Sequence, residues 1–197
     1  MIAFADVSPS AAFYDALQNA FRMGLMDWID GRNFEPKSEV TVAQAIAMTA
    51  EMHRITTNGS SDLKDGFWLW WYKPYRKYAL EHNLIDKEYA GYSRRDLNRA
   101  VTHGELVEMF INILPDSGYE AINDIPDNAI PDVKDFTTNA DIIYTLYRAG
   151  ILTGYVDTPG VTDHTFKSHD HLSRMDAAVI ADRIMNEDNR VEFTIQN

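Results

Sequence analysis

Arg174 stands directly after Ser173, at the first position of an apolar helical run. A helix start there offers backbone N–H groups that favour an anion. A guanidinium fork can grip a carboxylate through two bonds. Pairing with nearby Asp170 or Asp176 is the other fate open to this side chain. Gly154, shortly after Gly150, lacks a Cβ and so lets a ligand approach the backbone closely. His164, His169 and His171 carry metal-ligating chemistry, but zinc needs three or four converging ligands. These three lie in one loop with no second cluster to complete a site, so solvated loop histidines and no metal are expected. Residues 157–163 lack the oxygen-ligand spacing of an EF-hand.

The run Phe67-Trp68-Leu69-Trp70-Trp71-Tyr72 is the most aromatic stretch. It reads first as core and inter-repeat packing, and second as a surface on which sugar rings stack. Both can hold, because the run is too crowded for every ring to face inward. Trp28 carries the same two readings. Catalytic chemistry is not signalled. The chain has no cysteine, no Gly-x-Ser-x-Gly elbow and no Gly-rich phosphate loop. Carboxylates are abundant, but nothing places two across a cleft. The expectation is a non-enzyme without a cofactor.

With 197 residues, 45% hydrophobic and 12% aromatic, the chain can bury a real core. Its formal net charge is −12 and its pI about 4.8. From Asp124 onward there are six basic and thirteen acidic residues. Such a surface repels nucleic acid and anionic lipid. Arg94, Arg95 and Arg99 form the densest basic cluster, too small for nucleic-acid binding. No apolar run approaches the roughly 20 residues of a membrane span. The first residues, Met1-Ile2-Ala3-Phe4-Ala5-Asp6, lack the basic and apolar regions of a signal peptide.

The elements that must position these residues recur three times. Val40-Thr41-Val42-Ala43-Gln44, Val101-Thr102-His103-Gly104-Glu105 and Leu172-Ser173-Arg174-Met175-Asp176 each open an amphipathic helix. Each has a capping hydroxyl, a reciprocal Gln, Glu or Asp three residues on, and an apolar staple residue before the cap. Upstream, Asp6-Val7 precedes Gly24 by the interval at which Asp132-Val133 precedes Gly150. Asp65 precedes Asn83 at the same offset. Gly24 and Gly150 are read as left-handed helix stops. Asp30-Gly31 marks a tight turn above a buried Phe34. Residues 89–99 read as a polar loop, and 191–195 as a short extended tail. The fold class is all-α: three tandem helical repeats with irregular loops, at 1–60, 61–123 and 124–197. They form one pseudo-threefold bundle in which the three second helices meet on a common axis.

Phe4-Ala5-Asp6-Val7, Gly24-Leu25, Asp30-Gly31-Arg32-Asn33-Phe34-Glu35-Pro36 and Thr41-Val42-Ala43-Gln44 resemble the unit of the S-layer homology domain family. So do Pro131-Asp132-Val133, Tyr147-Arg148-Ala149-Gly150-Ile151-Leu152-Thr153-Gly154-Tyr155 and Ser173-Arg174-Met175-Asp176. The middle unit keeps Tyr78-Ala79-Leu80, Asn83-Leu84-Ile85 and Thr102-His103-Gly104-Glu105. The resemblance implies a non-catalytic anchor at a bacterial cell surface. Its inter-repeat grooves would bind a secondary cell-wall polysaccharide, often one carrying ketal-linked pyruvate. A passenger domain or an envelope protein would be the attached partner. The family's anion-binding arginine falls on Val42, His103 and Arg174, and only Arg174 keeps the group. His103 would charge mainly below about pH 6.5. The candidate ligand-binding set is Arg174, Ser173, Gly154, Gly150, His103 and Trp28. Arg174 and Gly154 are expected in one groove, with Trp28 altering the matching place in the first unit. A structural protein–protein module that retains the fold without glycan binding is the alternative.

Overall fold

A computed structural model describes residues 3–58, 63, 70–154 and 163–195. Asp65, residues 67–69 of the aromatic run and residues 155–157 of the third loop lie outside the described residues. Seven α-helices are described: α1 (Tyr14–Arg22), α2 (Val42–Asn58), α3 (Lys73–Glu81), α4 (Arg94–Leu97), α5 (His103–Phe110), α6 (Ala140–Arg148) and α7 (Arg174–Met185). Short 3-10 turns occur at Lys87–Gly91, Asp116–Tyr119 and Glu187–Asn189. Among the described residues there are isolated β-bridges and no named strand, so the all-α expectation holds.

The caps of α2, α5 and α7 form as the spacing predicts. Gln44 N donates to Thr41 Oγ1 and Thr41 N donates back to Gln44 Oε1. Thr102 and Glu105 make the same reciprocal pair. Ser173 Oγ accepts from Asp176 N, but the shorter aspartate turns its carboxylate onto the Ser173 hydroxyl instead. The staple residues before these caps, Val40, Val101 and Leu172, are almost fully buried.

These three residues exchange backbone hydrogen bonds in a ring. Val40 N donates to Leu172 O at 2.9 Å, Leu172 N to Val101 O at 3.0 Å, and Val101 N to Val40 O at 2.9 Å. A buried amide must find a partner inside the protein, and here each finds it in a distant segment. Antiparallel bridges flank the ring at Glu39 with Ser173, Thr41 with Ala100, and Thr102 with His171.

Helix packing follows the same cyclic order. α3 packs on α2, α6 on α5, and α1 on α7. Gly24 (φ 72°), Asn83 (φ 55°) and Gly150 (φ 71°) stop α1, α3 and α6 in the left-handed conformation. The next amide then reaches back into the helix: Leu25 N to Ala20 O, Leu84 N to Ala79 O, and Ile151 N to Leu146 O. Asp6 accepts from Phe34 N and Glu35 N, and Asp132 accepts from Phe166 N and Lys167 N. Each pair of bonds seats a buried phenylalanine under its loop.

The stretch read as a polar loop, 89–99, is more ordered than that. Ser93 and Asp96 form a further capping box, which opens α4, and Leu97 is fully buried.

Candidate functional site

Three cavities of about 220, 570 and 540 Å³ open beside α2, α7 and α5 respectively. Their walls use the same positions. Ala47, Met48 and Glu51 lie six, seven and ten residues after Thr41. Val179, Ile180 and Arg183 lie so after Ser173, and Glu108, Met109 and Asn112 after Thr102. Opposite them stand the segments that follow Gly24, Gly150 and Asn83.

Arg174 lines the smallest cavity, together with Trp28, Ile29, Gln44, Glu51, Trp71 and Tyr75. It does not pair with Asp170 or Asp176. Its Nε–H donates to Phe34 O and Nη2 to Asp27 O, both at 2.7 Å. The guanidinium carbon sits 4.6 Å from the centre of the Phe34 ring, a cation–π contact. Nη1 has no hydrogen bond among the described residues. Burial lowers the Arg174 pKa, while the carboxylates of Glu35, Asp27 and Asp6 oppose that shift. The group stays a cation near neutrality.

The expected backbone anion site at the start of α7 is filled by the protein itself. Arg174 N donates to Ser38 O at 2.8 Å and Met175 N to Pro36 O at 2.9 Å. Asp176 N goes to Ser173 Oγ. Segment 36–38 occupies the place an anion would take, so Ser173 serves as a cap.

Arg174 and Gly154 do not share a cavity, contrary to expectation. Trp28 belongs with Arg174, half-buried at 5.1 Å from the Phe4 ring and 4.9 Å from the Phe21 ring. Gly154 lines the 570 Å³ cavity with His103. The reason is the cyclic packing, which sets the residue after each of these caps against a segment distant in the chain. The glycines also meet the chain's own backbone. A Cβ on Gly154 would lie 2.2 Å from His164 Cα, and one on Gly150 2.6 Å from Val191 O. Their close approaches are taken by residue 164 and by the C-terminal tail, with Val191 N also bonded to Gly150 O.

His103 repeats the role of Arg174 with a smaller group. Its Nδ1 lies 3.2 Å from Phe166 O and 3.1 Å from Lys167 O. Two acceptors there mean that Nδ1 carries the proton. Burial lowers the His103 pKa, with Asp176 and the two carbonyls opposing. In the same cavity Arg183, also lowered by burial, donates to Ile151 O. At the third equivalent position Val42 is fully buried.

Among the described residues no group of three or more His, Cys, Asp or Glu is arranged to hold a metal ion. His164 Nδ1 bonds to Thr153 O and His171 Nδ1 to Glu39. No described helix is long and apolar enough to cross a membrane.

Trp71 and Tyr75 complete the wall around Arg174. The sequence offered the aromatic run as a sugar surface but gave no sign that its end lines one cavity with Trp28. Glu51 was not singled out at all, and only the recurrence of its position points to it. Residues 3–46 match a family model described as the S-layer homology domain. No curated protein matches the chain. The matched stretch includes the Asp6 anchor, the Gly24 stop, Trp28, Phe34 and the start of α2. Over residues 3–46 the chain is therefore similar to the S-layer homology domain.

Proposed function

We propose that the protein is a non-catalytic anchor at the cell envelope. In this reading three S-layer homology-like units, 1–60, 61–123 and 124–197, surround the Val40–Val101–Leu172 ring. The Arg174 cavity binds an acidic saccharide unit of a secondary cell-wall polysaccharide, with pyruvylated sugars among the candidates. The observation that carries this is a guanidinium with unengaged donors lining a cavity walled by Trp28, Trp71 and Tyr75. Aromatic faces cover the apolar faces of a sugar ring. The remaining N–H groups hold a carboxylate, and Gln44 offers hydrogen bonds to hydroxyls.

The test is calorimetric titration with purified wall-polymer fragments. Trp71 is 39% exposed, so Trp71→Ala should weaken binding about tenfold without disturbing the fold by circular dichroism. Unchanged affinity of folded Trp71→Ala would reject the cavity as the site. The exposed Ile29, Trp70 and Trp71 beside it favour one other reading, a protein partner. Failure of the parent to bind any wall fraction would favour that partner.

A further inference from the structure

We propose that the bound saccharide runs out of the Arg174 cavity onto the start of α3, where a second acidic sugar unit stacks on Trp70 and gives its anion to Lys73. The proposal deepens the saccharide reading and rests on it: the group recognised is an acidic oligosaccharide rather than a single sugar. The cavity measures about 220 Å³, below the roughly 300–1,000 Å³ of sites that enclose a whole small molecule. It has room for little more than one sugar ring, so a polymer must leave it over the rim. On one side its lining is Trp71 and Tyr75.

From there the aromatic wall continues. The Trp71 ring lies 6.2 Å from that of Tyr75 and 6.1 Å from that of Tyr72, and Tyr72 lies 6.3 Å from Trp70, each pair edge to face. Tyr72 is buried and gives both indoles a common footing, while Trp70 is 42% exposed. Lys73 is exposed, and its Nζ stands 4.2 Å from the centre of the Trp70 ring. The stretch from Trp70 to Lys77 holds three basic residues and no acidic one, in a chain of net charge −12. Two of the three have protein partners: Arg76 donates to Tyr89 O and Tyr92 O, and Lys77 pairs with Glu81. Lys73 makes no hydrogen bond or ion pair among the described residues. A cation–π contact leaves the three donors of an ammonium able to bond an anion. An indole presents an apolar face to a sugar ring, and the ammonium beside it attracts an acidic substituent. Trp70 and Lys73 thus form a two-part subsite, joined to the cavity through Tyr72 and Trp71.

The test titrates galacturonic acid and digalacturonate, acidic sugars of defined length, at constant ionic strength. The readout is the NMR indole N–H signals of Trp28, Trp70 and Trp71. Galacturonic acid should move the signals of Trp28 and Trp71, and digalacturonate should move that of Trp70 as well. Two joined contacts should make the dimer bind at least about tenfold more tightly than the monomer. Trp70→Ala and Lys73→Gln should each bring the dimer to within about threefold of the monomer and leave the monomer unaffected. Lys77→Gln, on the same helix, should retain the preference. A silent Trp70 signal with digalacturonate, equal binding of monomer and dimer by the parent, an unchanged ratio in Lys73→Gln, or no response to either sugar overturns the inference. Should Trp70→Ala fail to fold by circular dichroism, Lys73→Gln and the Trp70 signal of the parent still decide. A separate pulldown on purified cell-wall sacculi tests the saccharide reading. Sacculus binding with a silent Trp70 signal would keep that reading and remove the subsite. Absence of sacculus binding with the dimer preference intact would remove the wall polymer and leave the subsite standing.

Discussion

In the cavity lined by Arg174, Phe34 O takes the Nε–H; in the cavity lined by His103, Phe166 O and Lys167 O take the Nδ1–H. Both side chains follow a helix cap, and both clasp the loop of another part of the chain. Arginine has five N–H groups and keeps a charge and donors for a ligand. A neutral histidine has one N–H and gives it to the clasp. The comparison separates two tasks at one position: holding a neighbouring loop and offering charge to a ligand. The first can survive the loss of the second.

The largest effect should come from removing both clasps' common support. Deleting residues 124–197 takes away Leu172 from the ring, α7 from α1 and Arg174 from its loop. The remaining chain should show no cooperative thermal transition by circular dichroism. A cooperatively melting 1–123 fragment would contradict a core shared by all three cap segments.

Next comes the exchange of one clasp for the other. Arg174→His should retain the bond to Phe34 O, with little loss in urea midpoint. It should lose at least tenfold in affinity for wall polymer, about 1.4 kcal/mol. Arg174→Ala should lose the clasp as well, destabilising by about 2–3 kcal/mol through the buried Phe34 carbonyl left unpaired. If Arg174→His bound as tightly as the parent, charge would not be what distinguishes the two cavities.

The helix stops extend the comparison to the backbone. A Cβ at Gly24 would meet no atom within 4 Å, so Gly24→Ala should cost only the left-handed strain, about 1–2 kcal/mol. At Gly150 the same strain is joined by a clash with Val191 O and N, for about 3 kcal/mol in all. Equal urea-denaturation losses would mean that the C-terminal tail packs less firmly on Gly150 than its hydrogen bond implies.

The smallest effect concerns pH. The folded protein holds the His103 pKa below its ordinary value near 6.5, chiefly through burial. The unfolded chain therefore takes the proton first on acidification. This contribution to stability is full above about pH 6.5 and declines as pH falls toward the folded value. His103→Gln should make the fall in Tm between pH 7 and 5 shallower. His53, lowered by burial and then by His82, keeps part of the slope. An identical pH profile for His103→Gln would show that the ring is not the neutral donor inferred.

The caps at Thr41, Thr102 and Ser173 were legible because a capping box lies within four residues. Gly24 and Gly150 were legible because a left-handed stop needs a particular residue. The box at Ser93 and Asp96 carried the same local signal and was missed inside a stretch rich in charge. The partnership of Arg174 with Trp28 rather than Gly154 had no local signal. It depends on the direction in which the helix pairs pack around the ring, and that is a tertiary property. The engaged N–H groups of Arg174 and Met175 were hidden for the same reason. Their partners, Ser38 and Pro36, are more than a hundred residues away in sequence.

The hydrogen-bond ring also bears on the order of events in folding. Its three bonds join Val40, Val101 and Leu172, so none is local, and none can form before the chain has closed very long loops. Helices and caps can form early from neighbouring residues, whereas the ring must wait for all three segments to arrive. Contacts of this range slow folding relative to local helix packing. A chevron plot for Leu172→Ala should place most of the change on the unfolding arm; a change mainly in the folding rate would put the ring in the nucleus instead. With the change on the unfolding arm, the ring is a latch whose opening sets the lifetime of the folded protein.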